Sequence, residues 1–116
     1  MSKYKIFHNP RCSKSRQTLQ ILEEHDCEVE VILYLETAID ESVLVDILGK
    51  MSLSPRDLLR KGEQEFKENN LKNSNYSDQE IIKFMIQHPK LIERPIVLKG
   101  DKAILGRPPE NVLELI

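Results

Sequence analysis

At 116 residues, 40 % hydrophobic and 31 % charged, the chain has the size and composition of one globular domain spanning residues 1–116. A net charge of −2 gives no reason to expect nucleic-acid binding, and no apolar run approaches the ~20 residues that cross a membrane. Polar and charged residues begin at Ser2-Lys3, where a signal peptide would turn apolar, and Cys12 and Cys27 make neither a disulfide framework nor a zinc site. A cytoplasmic monomer with free thiols is expected.

Tyr4 to Phe7 reads as a short strand, closed by Asn9-Pro10. Ser13 is a natural N-cap, and Leu19 and Leu22 stand at helical spacing behind it, which predicts a helix from Ser13 to about His25. Cys12 therefore falls between a strand end and the first turn of a helix, where free N–H groups and the helix dipole favour negative charge. A cysteine with an ordinary pKa of about 8.5 is only about 3 % thiolate at pH 7; lowered to about 6, it would be about 90 % thiolate. On spacing alone a reactive thiol and a small buried turn residue both fit, and His8, four residues earlier, fits either a thiolate partner or a turn histidine. His8 and Cys12 are two ligands, too few for a metal.

Charge is unevenly spread. Lys3, Lys5, Arg11, Lys14 and Arg16 give the first twenty residues +5 with no acid, leaving −7 for the rest. A basic front at the cysteine loop suggests a small anionic ligand, although local charge can also merely solvate a surface.

Glu28 to Leu35 predicts a second strand, so the chain opens with a βαβ unit, and Cys27 at that strand's edge reads as structural. Val43, Leu44, Ile47, Leu48 and Met51 predict an amphipathic helix over 40–51. Ser54-Pro55 restarts a helix that runs through Leu58, Leu59 and Arg60 to a stop at Lys61-Gly62. Residues 63–75 read as a charged connector. Ser77 to Glu80 is a capping box for a helix ending near His88-Pro89. Residues of about 40–88 are thus a helical insertion. Arg94 to Lys99 and Lys102 to Leu105 predict a hairpin around Gly100-Asp101, followed by a final helix with Val112, Leu113 and Ile116 apolar. The fold class is α/β: one mixed sheet flanked by helices.

Arg60, Arg94 and Arg107 stand at element boundaries, and a hairpin can bring the last two together. Guanidinium forks suit oxyanions. The low-molecular-weight phosphatase loop closes with an arginine after five intervening residues; Thr18 stands there and Arg16 comes too early. No glycine-rich phosphate loop is present.

With His8-Asn9-Pro10-Arg11-Cys12-Ser13-Lys14-Ser15-Arg16, Leu58-Leu59-Arg60-Lys61, Glu93-Arg94-Pro95-Ile96-Val97 and Gly106-Arg107-Pro108 in view, the chain resembles the glutaredoxin-coupled arsenate reductase family nearly end to end. The resemblance implies a thioredoxin-like fold with Pro95 as its cis-proline. It implies Cys12 as nucleophile, Arg60, Arg94 and Arg107 as oxyanion ligands, and His8 and Ser15 as residues that tune the thiol. It also implies arsenate as substrate, glutathione as co-substrate, glutaredoxin as partner and no bound cofactor. Arg11 and Lys14 fall at positions that vary in the family. Two alternatives stand: reduction of another oxyanion or substrate, and a redox-responsive regulator that binds RNA polymerase, whose loop commonly holds two cysteines two residues apart. Pro10 and Lys14 occupy those flanking positions here.

Overall fold

Tyr4–Phe7 forms β1, with Tyr4, Ile6 and Phe7 buried and Lys5 exposed. In the computed structural model, which describes residues 3–37, 39–73 and 75–116, the chain divides into two compact units. Met1–Thr37 and Arg94–Ile116 make one, and Ala38–Glu93 makes the other.

In the first unit α1 spans Ser13–Glu24 and buries Ser15, Thr18 and Leu22, which recur along one helical face. β2, Val29–Ile32, runs parallel to β1, with Tyr4 opposite Val29 and Phe7 opposite Ile32. It stops short of the Leu35 expected from sequence because the Glu36 and Thr37 N–H groups both turn back to the Leu33 carbonyl, at 3.0 and 2.9 Å. β3, Ile96–Lys99, pairs antiparallel with β1, and β4, Lys102–Leu105, pairs antiparallel with β3. Gly100 takes φ +59 in the connecting turn, a conformation that costs glycine little. Among the described residues the sheet is mixed and ordered β2-β1-β3-β4.

The last helix is a 3₁₀ helix, Pro109–Leu115. Three residues per turn place Pro109, Val112 and Leu115 on one buried face, whereas the apolar Leu113 and Ile116 are exposed. The Leu115 carbonyl accepts from the Tyr4 hydroxyl and the Lys99 ammonium, each at 2.9 Å, and that ammonium also lies 5.1 Å from the Tyr4 ring centre. Tyr4, Ile6, Leu22, Val97, Val112 and Leu115 form the core of this unit, and Cys27 packs against its margin. Each fully buried aliphatic side chain is worth about 1.5–3 kcal/mol.

The second unit holds α2 (Glu41–Met51), α3 (Gln64–Glu68) and α4 (Asp78–Gln87). α2 buries Leu44, Ile47 and Leu48; Val43 is exposed. α4 carries the expected box: Glu80 N–H donates to Ser77 Oγ at 3.2 Å, and Ser77 N–H to the Glu80 carboxylate at 3.0 Å. The segment after Ser54 departs from the sequence reading. Pro55–Leu58 is one 3₁₀ turn, and the chain then extends: Leu59 bridges Ile92, Arg60 N–H donates to Leu91 O at 2.7 Å, and Glu93 N–H to Leu58 O at 2.9 Å. Arg60 therefore lies on an extended segment and not at a helix end. No helix among the described residues is long and apolar enough to cross a membrane.

Candidate active site

Cys12, not Ser13, is the N-cap of α1, with φ −93 and ψ 121. Its carbonyl accepts the first helical bond, from Arg16 N–H at 3.0 Å. The preceding loop is tied down by its own polar groups. Cys12 N–H donates to Asn9 O at 3.0 Å, Arg11 N–H to Asn9 Oδ1 at 3.0 Å, and the Arg16 guanidinium to Pro10 O at 2.8 Å. An N-cap side chain faces the N–H groups two and three residues on, here Lys14 and Ser15. The sulfur makes no cap hydrogen bond of ordinary geometry, so these groups act on it through their partial charge.

The two arginines that flank the hairpin come to this sulfur. An Arg107 guanidinium nitrogen stands 3.8 Å from Cys12 Sγ and donates to the Arg94 carbonyl at 3.2 Å. Both arginines precede prolines in cis peptide bonds, Arg94–Pro95 as expected and Arg107–Pro108 in addition. Burial raises the Cys12 pKa. The Ser15 N–H, the Arg94 side chain as donor, the Lys14 N–H and the Arg94 charge together outweigh it, so the thiol ionises below its ordinary value. Arg94 thus acts on the thiolate both as a donor and through its charge, and Arg107 stands within 3.8 Å of the sulfur. Among the described residues Arg94 Nε is buried without a hydrogen-bond partner. A half-exposed thiolate beside two guanidiniums is a nucleophile suited to an anionic electrophile.

Ser15 and His8 sit behind the sulfur. Ser15 is fully buried, and its Oγ accepts from Asn9 N–H at 3.1 Å and lies 2.6 Å from His8 Nδ1. Burial, with the nearby Arg16 charge, lowers the His8 pKa. A neutral ring whose Nδ1 accepts the Ser15 hydroxyl proton satisfies all three groups. His8 binds a proton more readily unfolded than folded, so its contribution makes stability fall as pH drops below about 6.5. The thermal midpoint should fall between about pH 7.5 and pH 5.5, and fall less in His8→Asn. Equal slopes in the two proteins would remove His8 burial as a cause.

Some site residues escaped the sequence reading. Thr18 is fully buried; its hydroxyl donates to Lys14 O at 2.8 Å and lies 3.3 Å from Gly106 O. A Cβ on Gly106 would stand 2.6 Å from Thr18 Oγ1 and 2.9 Å from Pro95 Cγ, so glycine allows the segment that follows β4 and bears Arg107 to approach α1 closely. Asn111 holds the same turn, donating to Leu105 O and Arg107 O, both at 3.2 Å. Arg60 belongs to the other unit, where Glu63 and Glu93 pair with it at 3.7 Å each. Among the described residues no group of three or more His, Cys, Asp and Glu is placed to hold a metal ion.

A model of the ArsC family matches residues 7–115. The chain is 51 % identical over 113 residues to the uncharacterized protein YfgD of Escherichia coli (strain K12), covering 97 % of this chain and 95 % of that one. It is 47 % identical to an arsenate reductase of Neisseria meningitidis serogroup A, covering 97 % of each. Its fold is similar to that of the arsenate reductase from Vibrio cholerae, with a TM-score of 0.96, 44 % identity, and coverage of 99 % of this chain and 98 % of that one.

Proposed function

This chain belongs to the ArsC family, and from that premise we propose that it reduces arsenate to arsenite through a covalent adduct on Cys12, with glutathione and glutaredoxin as the thiol system. The observation that carries the reading is the guanidinium of Arg107 at 3.8 Å from Cys12 Sγ, with Arg94 lowering the pKa of the same sulfur.

The Cys12 thiolate attacks arsenic in arsenate held by guanidinium donors, and an oxygen leaves as water after taking up protons. The product is a Cys12–S–As(V) adduct. A glutathione thiol then attacks the Cys12 sulfur. The sulfur–arsenic electron pair stays with arsenic, which leaves as arsenite, As(III), and Cys12 is left in a mixed disulfide with glutathione. A second thiol, delivered by glutaredoxin, attacks that disulfide and restores the Cys12 thiol. Arg94 and Arg107 supply charge and paired N–H donors, and Arg60 is the third oxyanion ligand on the family likeness. No step requires a bound cofactor.

The test is arsenate-dependent NADPH oxidation with glutathione, glutaredoxin and glutathione reductase. Turnover is expected with wild-type protein and with Cys27→Ser, because Cys27 lies at the core margin, where its sulfur contacts the His25 carbonyl at 3.9 Å. No turnover with arsenate would reject the substrate, and a dead Cys27→Ser variant with native folding would show a second essential thiol.

A further inference from the structure

Five basic side chains crowd the strand–helix junction, and the proposed chemistry uses two of them. Arg94 and Arg107 are part-buried and directed to the sulfur. Arg16 is held by the Pro10 carbonyl at 2.8 Å. Arg11 and Lys14 remain: both are exposed, one immediately before Cys12 and one two residues after it. No ion pair involves either of them among the described residues. The nearest acid along the chain is Glu23.

Placement decides what such charges can do. Consecutive Cα atoms are about 3.8 Å apart, so both backbones lie within one Debye length, about 8 Å, of the sulfur's own residue. Exposed cations at that range contribute little to static pairing but bias which charged molecules approach. The loop that carries Arg11 is fixed, since its N–H donates to Asn9 Oδ1 at 3.0 Å, and Lys14 stands in the first turn of α1. Both cysteines of the chain are free and Cys27 packs against the core margin, so the thiol that attacks Cys12 is taken to come in from solvent.

We propose that Arg11 and Lys14 form an outer basic collar that selects, among small thiols reaching Cys12, those carrying net negative charge. The inference rests on the reading of Cys12 as the redox-active sulfur and names the side chains that would discriminate among its thiol co-substrates by charge. The inner guanidiniums hold the oxyanion and the thiolate, and the outer pair governs the approach of the reductant.

The experiment needs no arsenate. Cys12, in the full-length Cys27→Ser chain, is converted to its pyridyl disulfide with 2,2′-dithiodipyridine, which gives a neutral leaving group. An added thiol attacks the Cys12 sulfur, a new sulfur–sulfur bond forms, and 2-thiopyridone departs carrying the thiol's proton on its ring nitrogen. Its absorbance gives the rate. Glutathione (net negative), 2-mercaptoethanol (neutral) and cysteamine (net positive) are compared, each against its own rate on the unsubstituted loop, which cancels differences in intrinsic nucleophilicity. In Arg11→Gln/Lys14→Gln the glutathione rate should fall about fivefold, the mercaptoethanol rate should stay within about twofold, and the cysteamine rate should not fall. High salt should reproduce the glutathione loss in the parent and have little effect in the variant. A parallel fall with all three thiols, or no fall with glutathione, overturns the proposal. Because arsenate is absent, failure of arsenate turnover and failure of thiol selection are read in separate experiments.

Discussion

Cys12→Ser is expected to reduce arsenate-dependent turnover to the background of the coupled assay. The substitution changes one atom and removes three capacities. A serine hydroxyl does not ionise near neutral pH, so the N–H groups of Ser15 and Lys14 and the Arg94 charge have no anion to stabilise. Oxygen in place of sulfur leaves no sulfur–arsenic bond whose electron pair could reduce arsenic. No disulfide can form for a second thiol to clear. Folding should survive: Cys12 is half-exposed, its backbone bonds to Asn9 and Arg16 do not involve the side chain, and serine is a favoured N-cap. Circular dichroism and the thermal midpoint should therefore match wild type while the rate is lost. Retained turnover in a correctly folded variant would reject Cys12 as the nucleophile.

The sequence reading succeeded where a physical signal was local. The residue types and turn chemistry around Tyr4–Phe7 and Gly100 marked strands that the sheet contains, and the Ser77 capping box marked the start of α4. Arg94 and Arg107 were paired by hairpin logic, and the bond from Arg107 to the Arg94 carbonyl places them together. The failures share a cause. Ser54-Pro55 carried a sound start signal, but the bridge between Leu59 and Ile92 is a contact over 33 positions and it ended the helix after one turn. Ser13 was the better cap by residue type, yet the capping position went to Cys12, because the loop is fixed by Asn9 and by a buried Ser15 whose hydroxyl serves Asn9 and His8. That exchange puts the sulfur itself at the helix terminus. The contact between Gly106 and Thr18 spans 88 positions and had no local trace in either residue.

Removal of either hairpin arginine should separate what charge does to the sulfur from what it does to the substrate. Arg94→Ala is expected to raise the Cys12 pKa, because a guanidinium favours the ionised thiol and its loss leaves burial less opposed. The thiolate fraction at pH 7 then falls, by up to tenfold for each pKa unit gained, and iodoacetamide alkylation followed against pH should show its midpoint displaced upward. Arg107→Ala should displace that midpoint less, since its contact to the sulfur is 3.8 Å and its stronger bond is to the Arg94 carbonyl. Both variants should raise the arsenate KM, as each removes a fork of N–H donors from an oxyanion. Arg94→Lys restores a charge but not the fork, so it should recover part of the alkylation profile and little of the KM. That split is what a direct role predicts; a merely structural role would move both readouts together with the thermal midpoint. Wild-type profiles and wild-type KM in both alanine variants would leave the thiolate to the Ser15 and Lys14 N–H groups alone and would remove the arginines from the chemistry.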